Sequence, residues 1–541
     1  MNSGVLSNVY LSLSGLWAYT TSWEMTAQGL ILCDGTVALG RLSFRQQARY
    51  SCARKQCSDL SCADSAQICK GTYPMSIIQF EIGKKPYSAY YMAKVTAAPS
   101  DDVLVRVGPG TPCGELMRRY WQPVAMCSQV DVRPQAARIL GEDLVVFRDL
   151  SGRYAVLHKH CSHRGASLEF GRVTQQGIQC CYHGWHYAID GTVLETPGEP
   201  ERSVIKHTIC HGAYPVIERH GLVFAYMGPP QDKPPFPNFD SLNFSGVDLV
   251  PYAIHHPCNW LQVHENLMDP VYAVFLHSKM GNVQFTPDWG QEPVTEWGEI
   301  NGRTFFYVAT RRLGDRVWIR FNEVLAPNFG QVGGFWANGD QQSLFSRVGA
   351  TRWTVPGDDT SCWIFGLRHF SDELERGGAG NKEMVGYESL DLYGQTGGRT
   401  AAEMQRNPGD WEVEVSQGAI ADHAAENLGL SDVGLVALRA SLRRAVKAVE
   451  KNQMPPQALG RDGAITPTYT SNTVLDLPIP EAGDDVELRR RVGRFVVAQV
   501  VQADGYAPES RVDMLHQQLA KIPARVLAGE IPPACCRFFS L

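Results

Sequence analysis

No apolar run in the 541-residue chain approaches the roughly 18 residues that a membrane-spanning helix needs. No Lys or Arg precedes Arg41, so the positively charged start of a secretory signal is missing. Basic residues are not in excess either. Fifty Lys and Arg against 56 Asp and Glu give a formal charge of −6. That balance speaks against nucleic acid as a partner, because neutralising phosphates takes clustered cations. The glycine fingerprint of a dinucleotide-binding fold is absent, and so are internal repeats. What remains is an ordinary globular composition, 44% hydrophobic and 20% charged, and the cytoplasm is the expected location.

The length suits two or three domains at roughly 150 residues each. The fifteen cysteines are unevenly spread, with Cys33, Cys52, Cys57, Cys62 and Cys69 crowding one end. Without a secretory signal a disulfide framework is not expected. The run C-x4-C-x4-C-x6-C from Cys52 to Cys69 fits no zinc or cluster spacing. Residues 1–91 also lack helical or strand periodicity. They are expected to be an atypical extension outside the fold, read from a start set too early, with Met75 and Met92 as alternative starts.

From Val103 onward the text is regular. Residues 92–119 read as a segment packing on the core, with a short helix near Glu115–Tyr120. Residues 120–236 read as short strands with turn signals, among them LGEDLVVFRD, GRYAVLH and an Asp190-Gly191 hairpin. Five prolines in GPPQDKPPFPNF mark a linker. Residues 237–541 form the larger domain, with strand runs RTFFYVATRRL, RVWIRFNEVLAP and SCWIFGLRHF, then helices that include VGLVALRASLRRAVKAVEKN.

Two short loops carry paired thiol and imidazole groups. Cys161 and His163 form C-x-H, and Cys180 and His183 form C-x2-H, with sixteen residues between His163 and Cys180. Two Cys on one iron and two His on the other make a [2Fe–2S] cluster of raised potential, since neutral imidazoles replace charged thiolates. A Cys2His2 zinc site would use the same ligand types, and buried structural residues are a third reading. Spacing alone leaves all three open. Cys181 adjoins the pair, but the C-x2-H register selects Cys180. His158, His160 and His186 read as loop-capping or exposed residues, and Trp185 as packing over the loop.

The segment ENLMDPVYAVFLH, residues 265–277, is the second candidate. Glu265, Asp269 and Tyr272 at i, i+4 and i+7 share one stripe of a helix, and Leu267, Val271, Val274 and Phe275 share another. An amphipathic helix across the whole segment is therefore expected. His277 lies about 80° around its axis from Asp269. His264 falls on the far face.

CSHRGASL followed by CCYHGWHYAIDG resembles the Rieske motif of ring-hydroxylating oxygenases. ENLMDPVYAVFLH is similar to the mononuclear-iron helix of the same proteins, E/N-x3-D-x2-H-x4-H, with Glu265, Asp269 and His277 matching and Tyr272 standing at the first ligand histidine. VGPGTPCGELMRRYWQPVA and RNPGDWEVEVSQGAIADHAAENLGLSD point to the phthalate-dioxygenase-like group.

The resemblance implies an α+β protein: a small all-β Rieske domain plus a helix-grip, START-like catalytic domain with an antiparallel sheet. Cys161, His163, Cys180 and His183 would hold the [2Fe–2S] cluster. His277 and Asp410 would hold mononuclear Fe(II), Asp410 from a D-x6-Q segment ending at Gln417; a helix N-cap is the competing reading of Asp410. Asp269 would be the catalytic bridge between a cluster histidine of one subunit and an iron histidine of the next, in a homotrimer, with Glu265 its structural neighbour. A 2-His-1-carboxylate face leaves iron positions open for O2. Tyr272 departs from that face, since tyrosinate favours Fe(III) and a neutral phenol binds weakly.

The expected activity is O2-dependent hydroxylation, dihydroxylation or O-demethylation of an aromatic substrate. Electrons would come from a separate flavin and iron–sulfur NAD(P)H reductase. The rival expectation is a pseudo-oxygenase whose Rieske cluster is intact and whose iron site is defective. A zinc-stabilised binding protein is a third. Arg311, Arg312, Arg316 and Arg320 would meet an aromatic carboxylate or, as the plainer expectation, be exposed strand arginines.

Overall fold

The computed structural model describes residues 28–33 and 36–41, and residues 101–541 apart from 132, 335–344, 372–379, 457–464, 482, 506–509, 531–538, 540 and 541. The chain separates into two compact units, Met1–Ala98 and Pro99–Leu541. In the first, Gln28–Cys33 pairs antiparallel with Thr36–Arg41. The cysteine run from Cys52 to Cys69, Met75 and Met92 lie outside the described residues.

The second unit opens on two short helices, Asp102–Val105 and Pro112–Met117, the latter six residues long and covering the expected Glu115–Tyr120 turn only in part. Thr111 caps it by accepting from the Gly114 N–H, and Pro112 sits at the first turn, where its missing N–H costs nothing. Small antiparallel sheets follow. Glu142–Arg148 pairs with Gln135–Ile139 on one side and Tyr154–His158 on the other. Alternation along Glu142–Arg148 decides what each face covers. Leu144 and Val146 join a core shared with Trp260, Phe365 and Leu442, whereas Val145 and Phe147 pack with Cys161, Cys180 and Trp185. One strand thus ties the cluster loops to the rest of the unit.

The Asp190-Gly191 hairpin forms between His186–Tyr187 and Val193–Glu195. Gly191 has φ +85°, and a Cβ there would stand 2.0 Å from the His211 carbonyl oxygen. Only glycine fits.

The larger sheet is antiparallel. Its order is Asp248–His256, Ser361–Phe370, Val348–Asp358, Phe329–Gly333, Arg316–Leu325, Thr304–Leu313 and Val294–Ile300, and Ser471–Asp476 also pairs with Arg316–Leu325. Phe306, Val308, Val317, Ile319 and Phe321 face the helix Asp485–Gln502, packing on Val492, Phe495 and Val496. Burying each such side chain contributes about 1.5–3 kcal/mol. The opposite face carries Tyr307, Arg311, Trp318, Arg320 and Asn322, as the register requires, because Arg311 pairs with Trp318 and Tyr307 with Asn322. Sheet and helices together make an α+β architecture.

Two sequence expectations fail here. Arg311 and Arg320 are not exposed strand arginines: they are 0% and 2% exposed. The segment 265–277 is not one helix. An α-helix Trp260–Glu265 tightens to a 3-10 turn Asn266–Met268, breaks at Asp269–Pro270, and resumes as Tyr272–Val274 and a π-turn Phe275–Lys279. Pro270 lacks the N–H that a continuing helix would need.

Candidate metal centres

The first centre is built by two loops projecting from the small sheets. Cys161 and Cys180 are buried in one cluster with Trp185, whereas Cys181 is exposed. The rings of His163 and His183 lie 4.4 Å apart, and Trp185 stacks on His163 at 4.7 Å with planes 2° apart. Nδ1 of His163 is buried with no hydrogen-bond partner. Two sulfurs, two imidazoles and an unpaired buried nitrogen fit a two-iron cluster, in which each iron takes two protein ligands. No group of three or more His, Cys, Asp or Glu placed to hold a single ion occurs among the described residues.

The loops are braced from outside. The Tyr187 hydroxyl and the Cys161 sulfur are 2.9 Å apart. His160 Nδ1 meets the Gly165 carbonyl at 3.0 Å, and His186 Nε2 meets Thr174 Oγ1 at 2.8 Å. His158 lies 3.3 Å from Glu142. His211, which sequence reading missed, is 2.7 Å from Ser162 Oγ and 2.7 Å from the His158 carbonyl oxygen. Its place in sequence, far from both loops, gave no signal.

At the second centre the structure brings Tyr272, His277 and Asp410 together. His277 Nε2 is 3.5 Å from Asp410 Oδ1, and the Tyr272 and His277 rings are 5.4 Å apart. The other ring nitrogen of His277, Nδ1, is 2.8 Å from Gln284 Oε1, which orients the ring and leaves Nε2 facing Asp410. Gln284 is held by donating to the Leu276 and Pro408 carbonyls. Phe285 and Trp289 flank His277 at 4.8 and 6.1 Å.

Asp410 is not the N-cap of its helix. The cap is Gly409, and Asp410 is the first helical residue. A Cβ on Gly409 would stand 2.1 Å from the Gly394 Cα, so two glycines let the Gln395 loop meet the helix start. Gln395 then donates to Asp410 Oδ2, and Asn266 donates to Oδ1 at 3.2 Å. Burial would raise the Asp410 carboxyl, but the His277 charge and hydrogen bonds from His277, Gln395 and Tyr272 hold it well below the usual carboxylate range. Burial lowers the His277 imidazole, and Asp410 more than reverses that. Burial, with Asp410 adding to it, pushes the Tyr272 phenol well above its ordinary value. Imidazole and carboxylate fit an iron ion here, and the third corner is the Tyr272 phenol.

Asp269 Oδ1 accepts from the Val271 and Tyr272 N–H groups, at 2.9 and 3.2 Å, so this carboxylate starts the second helical stretch. Burial raises its carboxyl, and those two bonds pull it back. Glu265 stands apart, its carboxylate taken by the Arg439 fork, which also binds Glu426. His264 is fully buried with neither ring nitrogen hydrogen-bonded, and burial lowers it to about 3. Gln417 is exposed.

Arg311 donates from Nε to the Gln291 carbonyl and from Nη2 to the Pro270 carbonyl, at 3.1 and 3.3 Å. Its guanidinium lies 4.9 Å from the Trp289 ring and 5.1 Å from Trp318. It fastens both ends of the excursion that carries Tyr272 and His277.

Among known proteins, a model of the Rieske [2Fe-2S] domain matches residues 120–211. The tert-butanol monooxygenase / tert-amyl alcohol desaturase oxygenase subunit of Aquincola tertiaricarbonis is 43% identical over 463 residues, 81% of this chain and 96% of that protein. The phenoxybenzoate dioxygenase subunit alpha of Ectopseudomonas oleovorans is 36% identical over 66% of this chain and 87% of its own length. The phthalate 4,5-dioxygenase oxygenase subunit of Pseudomonas putida is 30% identical over the same shares. Such oxygenases use a [2Fe–2S] cluster and a mononuclear non-haem iron. The chain belongs to the Rieske non-haem iron oxygenases, as an oxygenase α subunit akin to phthalate dioxygenase.

Proposed function

We propose that this oxygenase component hydroxylates, or oxidatively demethylates, an aromatic substrate with electrons delivered by a separate NAD(P)H-dependent reductase. The observation that carries the reading is the convergence of His277 Nε2 and Asp410 Oδ1 at 3.5 Å behind an aromatic lining of Phe285 and Trp289. When bound, the cluster and the iron supply electron storage and O2 activation. Cys161, Cys180, His163 and His183 would hold the cluster, and His277 and Asp410 the iron.

The protein's own share is orientation and exclusion of water. Gln284 fixes the His277 tautomer, and Gln395 and Asn266 fix the carboxylate. Asp269, anchored by two backbone N–H groups, is the bridge toward a cluster histidine of a neighbouring subunit in a homotrimer. Tyr272 offers a phenol in place of the second imidazole, so iron is held more weakly than by a full three-ligand face. A second reading, an aliphatic tertiary alcohol as substrate, is favoured by the 43% identity to the tert-butanol monooxygenase subunit across 96% of that protein.

The test supplies purified protein, with ferrous iron, a generic reductase and NADH, to a panel of aromatic acids, aryl methyl ethers and tertiary alcohols. Substrate-dependent O2 uptake with an oxygenated aromatic product is expected. Product from the alcohols alone selects the second reading. Oxidation of NADH without product from any class contradicts both.

A further inference from the structure

A buried polar chain leads away from Asp410 through Asn266 to Glu414 and His256, two residues the site above does not include. Asn266 Nδ2 donates one hydrogen to Asp410 Oδ1 at 3.2 Å and the other to Glu414 Oε1 at 2.9 Å. The second oxygen of Glu414 lies 3.2 Å from His256 Nε2, on the end of the strand Asp248–His256. Glu414 is 2% exposed and His256 1%.

The arrangement solves a charge problem. Asp410 and Glu414 are one turn apart on the helix Asp410–Ser416, so their carboxylates would repel in a buried setting. An amide that gives one hydrogen to each offsets part of that repulsion and fixes the spacing between them. Asn266 is able to do so because the helix Trp260–Glu265 tightens to a 3-10 turn just there, turning Asn266 toward Asp410 while Glu265 goes to Arg439. Gln262 ties the same two helices by donating to the Glu414 and Gly418 carbonyls at 2.8 and 3.0 Å.

We propose that Asn266, anchored by the Glu414–His256 pair, is the positioning residue that aims the Asp410 carboxylate at the metal. This rests on Asp410 being an iron ligand. Asn266→Ala frees the carboxylate to rotate. Asn266→Asp places a third carboxylate against the other two. Glu414→Gln keeps an oxygen for Asn266 to bind, and Glu414→Leu removes it.

The experiment titrates iron-depleted mononuclear centres with ferrous iron, in the parent and in the Tyr272→His background, with Rieske absorbance as the check of folding. Asn266→Ala and Glu414→Leu should weaken iron binding about 10–100-fold, the range usual for a lost hydrogen bond behind a ligand. Asn266→Asp should weaken it at least as much, and Glu414→Gln should stay close to the starting protein. The low-field EPR signal of the nitric oxide adduct of the ferrous centre should change shape in Asn266→Ala and not in Glu414→Gln. Unchanged affinity and unchanged EPR in both Asn266→Ala and Glu414→Leu overturn the proposal while leaving the ligand assignment standing. An Asp410→Ala variant that binds iron like its parent overturns the assignment itself, and this proposal with it.

Discussion

At the scale of the residue, neighbours in sequence lead different lives. Cys180 is 3% exposed and packs with Trp185 and Tyr187, while Cys181, one residue on, is exposed. A ligand thiolate has to face the cluster, so the two serine variants separate cleanly. Cys180→Ser should abolish the visible absorption and the EPR signal of the reduced cluster, and Cys181→Ser should leave both. The reverse outcome would place the ligand one residue later. Glu265 and Asn266 form a similar pair. Sequence periodicity selects Glu265 for the polar stripe, because 100° steps are assumed to continue unbroken. The 3-10 turn at Asn266–Met268 rotates the frame, and Asn266 reaches Asp410 instead. Tyr272, in contrast, was legible, since an exchange of side chain needs no geometry to be seen.

At the scale of the element, the strand Glu142–Arg148 holds the cluster domain to the N-terminal helices through Glu142. Arg118 donates to Glu142 Oε1 at 2.7 Å, and Tyr214 donates to Oε2. Burial would raise this carboxyl, but bonds from His158, Tyr214 and Arg118 bring it down to about 2 from 4.5. A depressed carboxyl stabilises the fold fully above its unfolded value and loses that contribution as pH falls toward its folded one. After allowance for solvent screening the contribution is on the order of 1–2 kcal/mol. Glu142→Gln should therefore melt below the parent at pH 6, and the gap in midpoint should shrink between about pH 4.5 and 2. A gap independent of pH across that window would show the carboxylate unpaired in solution. The strands themselves were legible from alternation and turn residues: SCWIFGLRHF is the strand Ser361–Phe370, residue for residue. What alternation does not reveal is whether a polar face meets water or another layer. Arg311 and Arg320 read as exposed for that reason, yet that face is covered by the segment that carries Trp289.

At the scale of the whole molecule, one of the buried clusters among the described residues runs through the N-terminal helices, the Rieske sheets and the catalytic domain, joining Leu116, Val146, Phe224 and Trp260. The boundary near residue 236 that prolines suggest in sequence is a packed junction. Phe236 lies against Trp121 and Phe224, and the Trp121 indole donates to the Pro234 carbonyl. Both centres thus belong to one compact unit, and the chemistry depends on whether the second is filled. Iron per chain, measured beside cluster absorbance in the parent and in Tyr272→His, tests this most directly. The imidazole is smaller than the phenol and fits without overpacking. We expect the parent to carry its cluster iron with little beyond it, and Tyr272→His to gain close to one further iron per chain and to consume O2 faster with a true substrate, as a restored 2-His-1-carboxylate face requires. Full occupancy in the parent with a tyrosinate-to-iron charge-transfer band would contradict the account by making Tyr272 a ligand, and equal, low occupancy in both would remove His277 or Asp410 from the site.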